Sequence, residues 1–117
     1  MNSQDALKIE EIREGDTCIA VLAGRIDSTN ANDLMARLKS VATSGARSIV
    51  VDFGRVLYLT SAAFRALLVA SDEAERNSAS FSLCGLAGHV RELFEMGGLL
   101  DLFTIHPSRE DAIAKYR

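Results

Sequence analysis

Hydrophobic residues repeat along this chain with two periods, one typical of β-strands and one typical of α-helices. Short runs that alternate or are continuously apolar predict five strands, at residues 7–12, 17–23, 48–53, 79–83 and 102–105. Apolar residues spaced three and four apart predict four helices, which follow Asn30, begin at Ser61, cover residues 87–96, and run from Ser108 to near Tyr116. Residue types that cap helices lie at several of these ends, including Ser108 and Asp111 in a capping-box arrangement.

The order β-β-α-β-α-β-α-β-α predicts an α/β fold. We expect a mostly parallel sheet of four to five strands, an N-terminal antiparallel edge hairpin and about four helices. No linker or repeat interrupts the chain, so residues 1–117 are predicted to be one domain with its core at about residues 7–116. Functional groups in such sheets gather at the carboxyl ends of the strands. That rule selects two segments, residues 24–29 and 54–61, both interpreted as loops, with Gly24 as a structural turn that ends the second strand.

Composition limits the function classes. The chain is 48% hydrophobic and 25% charged, with a formal net charge of -3 and no basic run, which argues against direct binding of nucleic acid. Residues 1–11 lack the features of a signal peptide, and no apolar run is long enough to insert into a membrane. Cys18 and Cys84 lie far apart in apolar surroundings and are expected to be buried, reduced thiols. A cytoplasmic location is therefore expected.

Motifs for catalysis or cofactor binding are not found. His89 and His106 lack other ligands at metal-binding spacing, so we expect no metal site. No nucleophile elbow, dinucleotide fingerprint or phosphate loop occurs at a strand–helix junction. The sequence therefore predicts no cofactor and a protein that is not an enzyme. A small ligand-binding or enzymatic α/β domain remains an alternative that only the fold class supports.

Ser61 stands out because it opens a helix directly after the predicted central strand. Helix capping alone would explain a serine at this position. Its surroundings indicate more, because residues 50–68 (VVDFGRVLYLTSAAFRALL) resemble the signature of STAS-domain anti-sigma-factor antagonists, also called anti-anti-sigma factors. Residues 22–27 (LAGRID) and 90–99 (VRELFEMGGL) resemble two further motifs of that family, in the right order.

The resemblance implies a cycle of partner exchange. The unphosphorylated protein would bind an anti-sigma factor that is also a serine kinase with a GHKL-type ATP site, and phosphorylation would release it. A PP2C-type phosphatase would reverse the modification. Ser61 falls on the family's phosphoacceptor, with Thr60 as a second and weaker candidate. The contact surface implied for the partner consists of Arg25, Asp27, Ser28, Thr60, Ser61, Ala62 and Arg65.

The acceptor motif departs from the family pattern at three positions. Thr60 replaces an acidic residue, Ala62 replaces a second hydroxyl residue, and Ala63 replaces a glycine. These departures leave open an alternative, a STAS scaffold or transporter accessory subunit that binds its partner without a phosphorylation cycle. A helix cap and a partner contact are both open as the role of Asp27.

Overall fold

The computed structural model of the protein describes residues 6–115. Five strands are present: β1 (Lys8–Glu14), β2 (Thr17–Ile26), β3 (Ser48–Leu59), β4 (Ser80–Cys84) and β5 (Thr104–His106). Four α-helices connect or follow them: α1 (Ala31–Ala42), α2 (Ser61–Arg76), α3 (Gly88–Met96) and α4 (Arg109–Lys115). A single 3₁₀ turn, Leu100–Leu102, precedes β5.

The strands form one sheet in the order β1-β2-β3-β4-β5. β1 pairs with β2 in antiparallel orientation, and every later pair is parallel. The predicted fold class, including the edge hairpin and the four helices, is therefore confirmed. The predicted end of the last helix near Tyr116 lies outside the described residues, as do residues 1–5 of the segment interpreted as lacking a signal peptide.

Both faces of the sheet are covered, and successive side chains of each buried strand point to opposite faces. On one face, Cys18, Ala20 and Leu22 of β2 belong to the main core with side chains of α1, α2 and α3. On the other face, Ile19 and Val21 pack in a smaller cluster with α4. This two-sided burial explains why the sequence of β2 is continuously apolar rather than alternating.

The last helix is fixed to the sheet by polar contacts as well as by apolar packing. The Ser108 hydroxyl accepts a hydrogen bond from the Asp111 amide (3.1 Å), as the predicted capping box requires. Arg109 Nε then donates to Asp52 Oδ2 (3.0 Å), and Asp52 Oδ1 accepts from the Gly54 amide (2.8 Å). Asp52 is nearly buried, so these donors balance a carboxylate that would otherwise be costly to bury.

The predicted ends of β2 and β3 are wrong. β2 continues through Gly24 to Ile26, and the segment 54–59 that was interpreted as a loop is a strand. β4 pairs with β3 only as far as Asp52, so beyond that point β2 and β3 extend together as a two-stranded projection. A glycine usually indicates a strand end, but here the Gly54 amide is satisfied by Asp52 and pairing with β2 resumes.

Two bulges shape this projection. Between the pairs Val21–Asp52 and Ala23–Arg55, and again between Gly24–Val56 and Arg25–Tyr58, β3 contains one residue more than β2. The φ angle of Gly24 is +98°, a conformation that favours glycine. The extra residue at the second bulge is Leu57, which is 55% exposed. Bulges re-aim side chains, which accounts for a large apolar residue facing solvent at this point.

Candidate functional site

The two segments selected from the sequence meet at the end of the β2–β3 projection. The Thr60 amide donates a hydrogen bond to the Ile26 carbonyl (3.0 Å), which joins the start of α2 to the end of β2. Because a backbone hydrogen bond links the two segments directly, their relative position is set by the sheet. The site is therefore built on a rigid element rather than on a free loop.

The connection from β2 to α1 is fixed by short-range hydrogen bonds. Asp27 accepts from both the amide (2.9 Å) and the hydroxyl of Thr29. Asn30 contributes two contacts, because its Oδ1 accepts from the Asp27 amide (3.0 Å) and its Nδ2 donates to the Arg25 carbonyl (2.9 Å). The hydrogen bonds from Thr29 lower the pKa of the Asp27 carboxyl, since they stabilise its charged form.

Thr60 and Ser61 begin the second helix. Thr60 occupies the N-cap position in an extended conformation, yet its side chain makes no capping hydrogen bond. Within residues 6–115 its buried hydroxyl oxygen has no hydrogen-bond partner. Ser61 is the first helical residue and is exposed. The explanation of Ser61 as a helix cap is therefore wrong, and Ser61 is instead an exposed residue of the first turn of α2.

A groove separates the first turns of α1 and α2 and has a volume of about 460 Å³. It is lined by Ser28, Ala31, Asn32 and Met35 on one side, and by Ser61, Ala62 and Arg65 on the other. Arg65 is the one charged side chain among these lining residues, and no carboxylate lines the groove. The charged side chain that lines the groove beside Ser61 is thus a cation, although the net charge of the chain is -3.

Tyr58 forms a second cluster on the projection. The guanidinium carbon of Arg25 lies 5.0 Å from the centre of the Tyr58 ring, within cation–π range. The His89 ring stacks against the same tyrosine, with centroids 5.7 Å apart and planes at 17°. The cluster therefore connects β2, β3 and the start of α3, and exposed Leu57 lies next to it in sequence.

Comparison with known proteins is decisive for the family. A family model described as the STAS domain matches residues 8–112. The chain belongs to the STAS family. The STAS chain is also 38% identical over 99 residues to BtrV of Bordetella bronchiseptica, which is named as an anti-sigma factor antagonist, and the match covers 85% of each protein.

Solved structures give the same fold for this STAS domain. An anti-sigma factor antagonist from Mycobacterium paratuberculosis superposes with a TM-score of 0.86 at 18% identity, covering 98% of this chain and 97% of that chain. The phosphorylated form of the Bacillus cell fate determinant SpoIIAA gives 0.69 at 22% identity, covering 96% and 100%. Relatives of the STAS domain by sequence and by fold thus include anti-sigma factor antagonists.

The sequence-predicted site residues of the STAS domain fall into three groups. Four of them, Ser28, Ser61, Ala62 and Arg65, line the groove. Arg25 and Asp27 do not line it, since Arg25 lies in the aromatic cluster and Asp27 in the hydrogen-bonded connection. Thr60 lies at the junction, where its main chain bonds to Ile26.

Sequence reasoning missed five residues of these two clusters: Ala31, Asn32 and Met35 in the groove, and Tyr58 and His89 in the aromatic cluster. Their positions depend on helix packing and on the length of β3, which the pattern did not indicate. The sequence contains one indication of this cluster, because Leu57 and Tyr58 are large residues in a segment that was interpreted as a loop.

No group of three or more His, Cys, Asp or Glu residues between residues 6 and 115 is arranged to hold a metal ion. None of the helices in the same region is long and apolar enough to cross a membrane.

Proposed function

We propose that this STAS domain is an anti-sigma factor antagonist controlled by phosphorylation of Ser61. Unphosphorylated, it binds a cytoplasmic anti-sigma factor that carries a GHKL-type serine kinase activity, and phosphorylation releases it. A PP2C-type phosphatase regenerates the binding form. In this role the protein binds and is modified, and it catalyses no reaction itself.

The observation that carries the proposal is the exposed and unbonded Ser61 hydroxyl. Within residues 6–115 it makes no hydrogen bond, so a kinase reaches it without breaking the fold. Its Oγ would attack the γ-phosphorus of ATP, ADP would leave, and the hydroxyl proton would pass to a base of the kinase. Thr60 is a poorer acceptor because its hydroxyl oxygen is buried.

Phosphorylation at this position acts on binding rather than on folding. A phosphoserine carries about -1.5 to -2 charges at neutral pH. At the first residue of α2 the partial positive charge of the helix end tolerates an anion, so the domain keeps its structure. A partner packed against Arg25, Asp27, Ser28, Thr60, Ala62 and Arg65 would have to desolvate that charge, which is costly.

The relatives and the local geometry support the same role. The BtrV relative and the Mycobacterium structure are both named as anti-sigma factor antagonists. The departure at Ala63 is compatible with it, because Ala63 is fully buried inside α2 and lies behind the surface that a partner meets. The departure at Thr60 removes a carboxylate next to Ser61, which affects the choice of kinase more than access to the hydroxyl.

The test has two parts. Partners are first captured from a lysate of the source organism with the wild-type domain, with Ser61→Ala and with Ser61→Asp. Incubation of the captured anti-sigma factor with ATP should then place one phosphate on Ser61 by mass spectrometry. Ser61→Asp should lose most of the binding, whereas Ser40→Asp, an exposed serine in the second half of α1, should retain it.

The contrary result is equally clear. If Ser61 is not modified and Ser61→Asp binds its partner as tightly as wild type, the phosphorylation cycle is contradicted. Capture of a transporter or of a large STAS assembly under those conditions would favour the scaffold role instead.

A further inference from the structure

The groove beside Ser61 is suited to an anion. Ser61 and Arg65 lie on the same wall, and the opposite wall offers the Ser28 hydroxyl and the Asn32 amide as hydrogen-bond donors. No carboxylate lines the groove to repel an anion or to neutralise the arginine. The chain has 16 acidic residues against 13 lysines and arginines, so a groove lined by an arginine and by no acidic residue differs from the chain as a whole.

Arg65 is placed to meet a group attached to Ser61. The two residues are four positions apart on α2, so their side chains lie on the same face of the helix, one turn apart. Arg65 is exposed, and it forms no ion pair or hydrogen bond with any other residue between 6 and 115. Its guanidinium is thus uncommitted before phosphorylation, and its planar donors match phosphate oxygens.

Arg25, the other arginine of the predicted contact surface, is less suited to this task. Its guanidinium lies over the Tyr58 ring. It also interacts with the charge of Asp27, which contributes to the lowered pKa of that carboxyl. The uncommitted cation of the groove is therefore Arg65.

We propose that Arg65 is a phosphate-binding residue in cis, which holds the phosphoryl group of phosphoserine 61 in the groove between α1 and α2, with Ser28 and Asn32 as further donors. The inference rests on the proposed modification of Ser61. It adds a second cause of partner release. Arg65 lies on the proposed contact surface, and pairing with the phosphate withdraws its charge from the partner at the same step that introduces the repelling group.

The test installs phosphoserine at position 61 by genetic encoding, so that no kinase and no partner are needed. The second ionisation of the phosphate is followed by ³¹P NMR from pH 4.5 to 8 in the wild type, Arg65→Ala and Arg65→Lys. An arginine one turn away stabilises the dianion. The second acid dissociation constant of the phosphate should therefore be about two-fold larger when the phosphorylated protein has Arg65 than when it has Arg65→Ala. The value for Arg65→Lys should lie between them.

Two controls separate a cis contact from a general effect of charge. Arg47→Ala removes an exposed arginine that precedes β3, at the opposite end of that strand from Ser61, and should titrate like the wild type. The difference between wild type and Arg65→Ala should shrink at 1 M salt, because exposed charges are then screened. Equal dissociation constants in wild type and Arg65→Ala would overturn the inference.

Failure of this inference and failure of the proposed function are distinguishable. If the encoded phosphoserine titrates with the Arg65-dependent shift but no kinase modifies Ser61, the cis pair stands and the proposed cycle falls. If the kinase modifies Ser61 but the titration is insensitive to Arg65, the cycle stands and the cis pair is refuted.

Discussion

The guanidinium of Arg109 and the carboxylate of Asp52 form an ion pair with a 3.0 Å contact between Nε and Oδ2, and the pair connects the last helix to the central strand. The Asp52 side chain is 12% exposed and that of Arg109 is 33% exposed, so the contact is shielded from water far more than the other ion pairs of the described residues. Asp52 lies where β4 stops pairing and the β2–β3 projection begins. Stability of the fold and position of the site therefore depend on the same residue.

Loss of this ion pair should destabilise the domain. Arg109→Ala leaves a nearly buried carboxylate that keeps the Gly54 amide as a hydrogen-bond donor but has lost its cation. We expect the free energy of unfolding to fall by about 2 kcal/mol, measured by urea denaturation. Arg76→Ala is the matched control, because the Arg76–Glu73 pair is 73% exposed on the arginine side. It should change the stability by less than about 0.5 kcal/mol, and equal effects of the two variants would contradict the argument.

Gly85 should be intolerant of any side chain. A Cβ atom at this position would lie 2.8 Å from Asp52 Oδ1 and 2.8 Å from the Gly54 amide nitrogen. Gly45 has a similarly positive φ (+92° against +74°), but a Cβ there meets nothing within 4 Å. Gly45→Ala should therefore cost about 1 kcal/mol for its backbone conformation alone. Gly85→Ala should cost roughly 2 kcal/mol more in the same denaturation assay, because the core must shift to accept the methyl group.

Stability should decrease at alkaline pH through Cys84. Burial, together with the charge of Asp52, raises the pKa of the Cys84 thiol to about 12. In the unfolded chain the thiol ionises near its usual value, about 8.5. Above that pH the unfolded state loses a proton that the folded state keeps, so unfolding becomes more favourable as pH rises. Burial raises the pKa of Cys18 in the same direction.

The measurement is the free energy of unfolding at pH 7.5, 8.5 and 9.5. One such thiol contributes a decrease that approaches about 1.4 kcal/mol per pH unit once the unfolded thiol is ionised. Cys84→Ala should lower the stability at pH 7.5 but show a shallower decrease with pH than the wild type. Identical slopes for the two proteins would show that Cys84 does not contribute.

The aromatic cluster should contribute to partner binding. Arginine and tyrosine are enriched among residues that dominate binding energies, and Arg25 is pre-ordered over Tyr58. We expect Arg25→Ala to weaken binding of the anti-sigma partner about ten-fold by calorimetry, a loss of about 1.4 kcal/mol. Arg47→Ala, at the other end of β3, should bind as the wild type does. Unchanged affinity in Arg25→Ala would place the contact surface away from the projection.

Much of the fold was predictable because its causes are local. The buried strands are continuously apolar, the helices carry apolar residues at helical spacing, and Ser108 and Asp111 lie in the arrangement of a capping box that the structure contains. The STAS family was predictable from the residues around Ser61. The strands, helices and capping box depend on residues that are close in sequence, and the family resemblance depends on three such segments in order, residues 22–27, 50–68 and 90–99.

The parts that were not predictable depend on contacts between distant residues. The extension of β3 beyond Gly54 requires Asp52 to satisfy the glycine amide and β2 to resume pairing after a bulge. Exposure of Leu57 follows from that bulge and has no signature in composition. The groove brings Asn32 beside Arg65 through packing of α1 against α2, which a linear pattern does not specify. The helix α2 begins at Ser61 itself, so Thr60 occupies the N-cap position. A sequence pattern does not fix a helix start to within one residue, so it could not show that Ser61 is not the cap.

The hydrogen bonds that tie the amino ends of the parallel strands together have a practical consequence. The Arg47 main-chain amide donates to the Asp16 carbonyl, and the Ser80 main-chain amide donates to the Arg47 carbonyl. These hydrogen bonds lie at the other end of β2 and β3 from Ser61. Gly45 and Ser78 are exposed and lie in turns at this end of the sheet. Fluorophores or surface tethers attached there would leave the opposite end free, so immobilised protein could report binding kinetics without obstructing the residues under study.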